Sequence, residues 1–130
     1  MVDGLAVTVL LRHDLPDGGS HFDWLLERPG SPTGALISFR VQARIDQLES
    51  GSFDAVRIGD HRREYLEYEG PISGGRGGVT RVARGTCRVL EEAAAMVVEG
   101  DFGSGPRVLR GREGAGGVWT FEIRLDSGLG

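Results

Sequence analysis

Glycine recurs so often along this chain that many tight turns, and a β fold before a helical bundle, are expected. It accounts for 22 of 130 residues without a Gly-X-Y period. Between the glycines lie short runs rich in β-branched and aromatic residues, the pattern of strands joined by tight turns. Residues 6–11 (Ala-Val-Thr-Val-Leu-Leu) read as a buried strand, residues 21–28 as a second and 35–41 as a third. Pro16, Asp17, Gly18 and Gly19 form a strong turn signal between the first two, which predicts a hairpin. Residues 43–50 suit a short helical turn and 55–58 a strand, and 59–64 read as a polar stretch. Further on, residues 77–84 are expected as a strand, Gly85 as a turn and 86–90 as the next strand. Residues 91–95 carry local helix propensity, and 95–99, 106–110 and 118–125 complete the set. About eight short strands with one or two helical turns predict a compact, closed or partly closed β-barrel. The length suits one domain over residues 1–130.

Composition narrows the chemistry. No apolar run approaches the ~20 residues of a membrane span, and the first four residues lack a secretory signature. The single cysteine, Cys87, excludes an internal disulfide framework, so a reducing cytoplasm is the expected compartment. Cys87 itself reads as a strand or core position. The net charge of −4 argues against a general polyanion binder. All 15 basic residues are arginine. Any phosphate bound here therefore meets guanidinium forks, imidazoles, backbone amides or a metal, never a lysine ammonium.

Three histidines are available, and two of them, His13 and His21, flank the hairpin turn. Asp23 follows His21 by two positions, so the two side chains share one face of a strand. A hairpin turning at residues 17–19 returns His13 to the side of His21. Two imidazoles and a carboxylate then converge as an open ligand set suited to Mn²⁺, Zn²⁺ or Fe²⁺. The same spacing also fits a surface hairpin with scattered polar groups. His61 and Tyr65 form a second cluster beside Arg62 and Arg63. There His61 could protonate a leaving oxygen and Tyr65 could hydrogen-bond a phosphoryl oxygen, or the segment could be a solvated loop. The run of residues 74–78 (Gly-Gly-Arg-Gly-Gly) reads more readily as a turn than as a phosphate cradle. Ser20 lacks a nucleophile-elbow context.

In order and flanking residues these two clusters resemble the 3′-phosphoesterase domain of bacterial DNA ligase D, which also occurs as a small stand-alone protein. The family carries His-Asp, a short turn, then His-Tyr-Asp-Phe-Arg-Leu-Glu; here stand His13-Asp14, then His21-Phe22-Asp23-Trp24-Leu25-Leu26-Glu27. Its later Asp-His-x-x-x-Tyr and Phe-Glu-Gly correspond to Asp60-His61-Arg62-Arg63-Glu64-Tyr65 and Tyr68-Glu69-Gly70. The likeness runs from about Val7 to Arg124 and includes a closing Gly-x-Trp strand.

The resemblance implies a small β-barrel and a divalent-metal-dependent hydrolase, Mn²⁺ before Zn²⁺ or another transition metal. The implied activity removes a 3′-terminal ribonucleoside and then the 3′-phosphate from DNA or RNA during DNA repair, with a repair ligase or polymerase as a partner in trans. It assigns His13, His21 and Asp23 to the metal, and His61 and Tyr65 to the phosphate. Three family cations are missing. Leu25 stands for one arginine, Phe53 for another, and the family lysine has only Ala43 or Arg44 near its place. Losing one such contact costs about 10²–10³ in rate. Either Arg12, Arg40, Arg57, Arg62 or Arg63 compensates, or activity is weakened. The competing expectation is a non-catalytic metal- or nucleic-acid-binding scaffold built on the same barrel.

Overall fold

The computed structural model describes residues 6–31 and 33–125; the reading of the first four residues lies outside that range. Nine strands are present, all paired antiparallel: β1 (Ala6–Asp14), β2 (Ser20–Leu26), β3 (Leu36–Val41), β4 (Gly51–His61), β5 (Gly70–Pro71), β6 (Gly78–Glu92), β7 (Ala95–Asp101), β8 (Arg107–Glu113) and β9 (Val118–Leu125). Three 3₁₀ turns, at Ile45–Gln47, Arg63–Leu66 and Ala115–Gly117, are the helical elements among the described residues. The strands follow the order β1-β2-β3-β4-β9-β8-β7-β6, and β6 pairs back onto β1 to close the ring. The short β5 adds to β6 outside that ring. The expected closed barrel is therefore present. Among the described residues no helix is long and apolar enough to cross a membrane.

Alternation along the strands separates two cores. Leu10, Trp24, Leu26, Ile37, Phe39 and Val41 belong to the barrel interior, joined there by Phe53, Trp119 and Phe121. The Phe121 ring lies 5.2 Å from both Trp24 and Phe39, edge-on to each, an arrangement that adds to the burial of their large apolar area. Trp24 keeps its indole N–H satisfied by donating to Thr8 Oγ1 at 3.0 Å, and that hydroxyl donates to the Leu25 carbonyl at 2.8 Å. Cys87 lies in this interior core, as expected, and burial pushes its thiol up to about 12.

A second core sits on the other face of the β1–β2 hairpin. Val9, Leu11, Leu25 and Leu36 pack there with Leu66 and Val79, and Tyr65 and Ile72 lie partly buried against them. The chain between β4 and β6 supplies Leu66, Tyr65 and Ile72, so it covers the outside of the wall. This explains why residues 6–11 are apolar almost without interruption: both faces of β1 are buried.

Three local expectations change. The polar stretch 59–64 is divided, with residues 59–61 ending β4 and residues 63–66 forming a 3₁₀ turn. Residues 91–95 are not helical; they end β6, cross a tight turn and begin β7. Gly85 does not turn the chain, because β6 runs unbroken for 15 residues. Its role is close approach: a Cβ there would lie 2.1 Å from the Asp101 carbonyl oxygen. Gly85→Ala must therefore push β7 away from β6, and we expect a loss of about 1–3 kcal/mol, read as a lower urea midpoint at unchanged m-value.

Candidate metal centre and phosphate cleft

The hairpin turn sets the first cluster. Leu15 N–H donates to the Gly19 carbonyl at 2.8 Å, and the Asp17 carboxylate accepts from Gly19 N–H at 2.8 Å. This closure places His13 directly opposite His21, and Leu11 opposite Asp23. One face of the hairpin therefore carries Leu11 and Leu25 in the second core, then Asp23, His21 and His13 beyond them.

The donor atoms converge. His13 Nδ1 lies 3.2 Å from His21 Nε2 and 3.7 Å from Asp23 Oδ2, and His21 Nε2 lies 3.1 Å from Asp23 Oδ1. Ligand atoms from the three residues lie within 4.8 Å of one another. His21 and Asp23 are buried, at 6% and 3% exposure. Despite its neighbours, Asp23 Oδ1 is buried without a hydrogen-bond partner. A buried, unpartnered carboxylate oxygen is costly. The carboxylate faces an imidazole nitrogen from each of its two oxygens, the form of a site for a cation, and the N₂O donor set fits Mn²⁺, Zn²⁺ or Fe²⁺.

An outer contact selects the His13 tautomer. His13 Nε2 is 2.8 Å from the Arg76 carbonyl, which can only accept, so the proton sits on Nε2 and the Nδ1 lone pair faces the cluster. Gly77 makes this contact possible. Its φ is +87°, and a Cβ there would stand 1.9 Å from the Asp14 carbonyl oxygen, so only glycine lets the loop reach the end of β1. Burial lowers the His21 pKa below its usual 6.5; Asp23 opposes that shift, and the charges of Arg40 and His13 reinforce it. The neutral ring, the form a metal needs, is thus favoured.

His61 is aimed by a β-bulge. Leu36 pairs with His61 but Ser38 pairs with Ile58, so β4 holds one residue more than β3 between these pairs. In a regular ladder Asp60 would face Leu36; the extra residue puts His61 there instead. Ser38, fully buried, accepts from His61 N–H at 3.2 Å and donates to the Leu36 carbonyl at 3.0 Å. The His61 Nδ1–H is held by the Gly59 carbonyl at 3.2 Å, leaving Nε2 4.0 Å from Asp23 Oδ2. Tyr65 stands edge-on to His61, ring centres 5.4 Å apart. His13, Asp23, His61 and Tyr65 line one cleft of about 410 Å³ together with Arg62 and Arg76. The more enclosed, apolar cavity at Thr8 and Trp24 offers only about 20 Å³ and no histidine or tyrosine.

The five candidate arginines do not gather. Arg62 lines the cleft. Arg40 pairs across the sheet with Asp23 and has no ion pair among the described residues. The others are engaged: Arg12 with Asp14, Arg57 with Glu92 and Asp60, and Arg63 with Glu27. Leu25 is fully buried in the second core, Phe53 stacks on Phe121 at 5.3 Å, and Arg44 is bound to Asp46. Sequence reasoning missed Ser38 and Arg76 as parts of the site. A lone serine in an apolar strand was the available sign of the first, and the arginine inside the glycine run that of the second.

No protein-family model matches the chain, and no curated protein does.

Mn²⁺ or Zn²⁺ at a hundredfold excess over Kd should add about 2.7 kcal/mol, a Tm rise on the order of 10 °C for a chain of this size. Asp23→Asn should abolish the rise. Because the folded chain resists protonation of His21, stability is full above pH 6.5 and falls as the pH drops below it. Both the urea midpoint and the metal-induced Tm rise should therefore shrink between about pH 7 and pH 5.

Proposed function

We propose that this protein is a divalent-metal-dependent phosphoesterase acting on the 3′ ends of DNA or RNA. The observation that carries the reading is Asp23, a buried carboxylate that has one oxygen without a hydrogen bond, lies against the imidazoles of His13 and His21, and faces a third imidazole across the same cleft. The resemblance to the 3′-phosphoesterase domain of DNA ligase D supplies the substrate class, the preference for Mn²⁺ and the setting in DNA repair.

His13 Nδ1, His21 Nε2 and Asp23 would hold the ion, which when bound polarises a phosphoryl oxygen and activates water. The residues of the chain do the rest. The Arg76 carbonyl keeps the His13 Nδ1 lone pair turned inward, and the hairpin register sets the His21 ring opposite it. His61 meets the phosphate from the other side, its ring fixed by Gly59 and its backbone by Ser38. As an imidazolium it donates from Nε2 to a phosphoryl or leaving oxygen. Tyr65, in the same cleft, offers a phenolic hydroxyl that orients the phosphate.

A second reading, a non-catalytic binding module, is favoured by one observation. Leu25 and Phe53, which stand where the family carries arginines, are packed into the two cores and leave no room for cations. The two readings separate on Mn²⁺-dependent release of phosphate from a 3′-phosphorylated oligonucleotide. We expect turnover that His61→Ala lowers by about 10²–10⁴. Metal binding without turnover under any divalent ion would sink the enzymatic reading and leave the binding module.

A further inference from the structure

Charge in the cleft is unevenly matched. Asp60 faces it but is already held by Arg28 at 2.9 Å and Arg57 at 3.5 Å. Arg62 has one carboxylate partner, Glu64, at 3.3 Å, with side chains 75% and 58% exposed, so solvent screens that pair. Arg76 has no carboxylate partner among the described residues. Its Nε donates to the Ser73 carbonyl at 2.8 Å, and Nη2 reaches Ser73 Oγ at 3.5 Å. The remaining guanidinium donors have no acceptor among the described residues. The same residue's carbonyl receives the His13 proton at 2.8 Å. Arg76 thus touches the donor cluster through its main chain and is among the residues that line the cleft beside it.

We propose that Arg76, with Arg62, forms an oxyanion subsite for a tetrahedral phosphate monoester. The inference rests on the phosphoesterase reading and names the groups that bind its anion. A guanidinium fork suits two phosphoryl oxygens at once, and only weakly engaged cations are free to provide one. The subsite also replaces the charge missing at Leu25 and Phe53, using a loop rather than the barrel wall. Glycine on both sides of Arg76 leaves the approach to its backbone clear of side chains.

The phosphate could be free or could end a nucleic-acid strand, and two titrations of the intact chain distinguish these sources. In the first, orthophosphate is added to metal-free protein at low salt and followed by NMR. Arg76→Gln should weaken binding about ten- to a hundredfold. The same variant should keep the full Mn²⁺-induced rise in Tm, because the partner of His13 is a main-chain carbonyl. Equal binding by wild type and Arg76→Gln, or no binding by wild type, overturns the subsite. In the second, oligonucleotides ending in 3′-phosphate and 3′-hydroxyl are compared. A preference for the phosphate that Arg76→Gln erases ties the subsite to strand ends. Orthophosphate binding without that preference upholds the subsite and overturns the 3′-end reading.

Discussion

The pairing of β1 with β2 is the constraint on which the rest depends. Its register puts Leu10 and Trp24 inside the barrel, Leu11 and Leu25 under the outer cover, and His13, His21 and Asp23 at the end of that same outer face. Because side chains alternate with period two, a slip of one residue would exchange all three sets. Apolar burial on both sides makes such a slip prohibitive. The hydrophobic effect therefore holds the donor cluster together indirectly, by fixing the hairpin that the turn at its polar end closes. The cluster works against folding: a buried imidazole, a half-buried one and a buried carboxylate with an unpartnered oxygen cost free energy that the two cores must offset.

Much of this was legible in the sequence because it is local. The turn at residues 16–19, the apolar run before it and the His-x-Asp spacing after it predict the hairpin and offer the meeting of His13, His21 and Asp23 as one of two readings, beside a surface hairpin with scattered polar groups. Glycine and β-branched residues together point to the barrel. What could not be read depends on contacts distant along the chain. Gly85 resembles a turn residue until β7 is seen pressing on it. The β4 bulge has no signature in its own residues, since it exists only relative to β3. Asp60 reads as a turn residue, yet it accepts from Arg28, 32 positions earlier.

The arginines show the same limit more sharply. Fifteen guanidinium groups of one chemical type cannot be ranked from sequence, because their availability depends on which carboxylates lie within reach. Arg28, Arg57, Asp60 and Glu92 form one connected set of ion pairs, and Arg63 is committed to Glu27. These groups join strands distant along the chain. Arg40 and Arg76, left out of such pairs, keep their charge for something else.

A ring of strands has no first or last member. Closing β6 onto β1 removes the unpaired edges through which sheet proteins recruit neighbours into fibrils. The short β5 is the exception, and it is two residues long and ends in Pro71, which has no N–H to offer. A chain so rich in β-forming segments is thereby protected from self-association once folded. Its hazard lies earlier, before β1 has found β6 across more than sixty intervening residues, when both strands still present open edges.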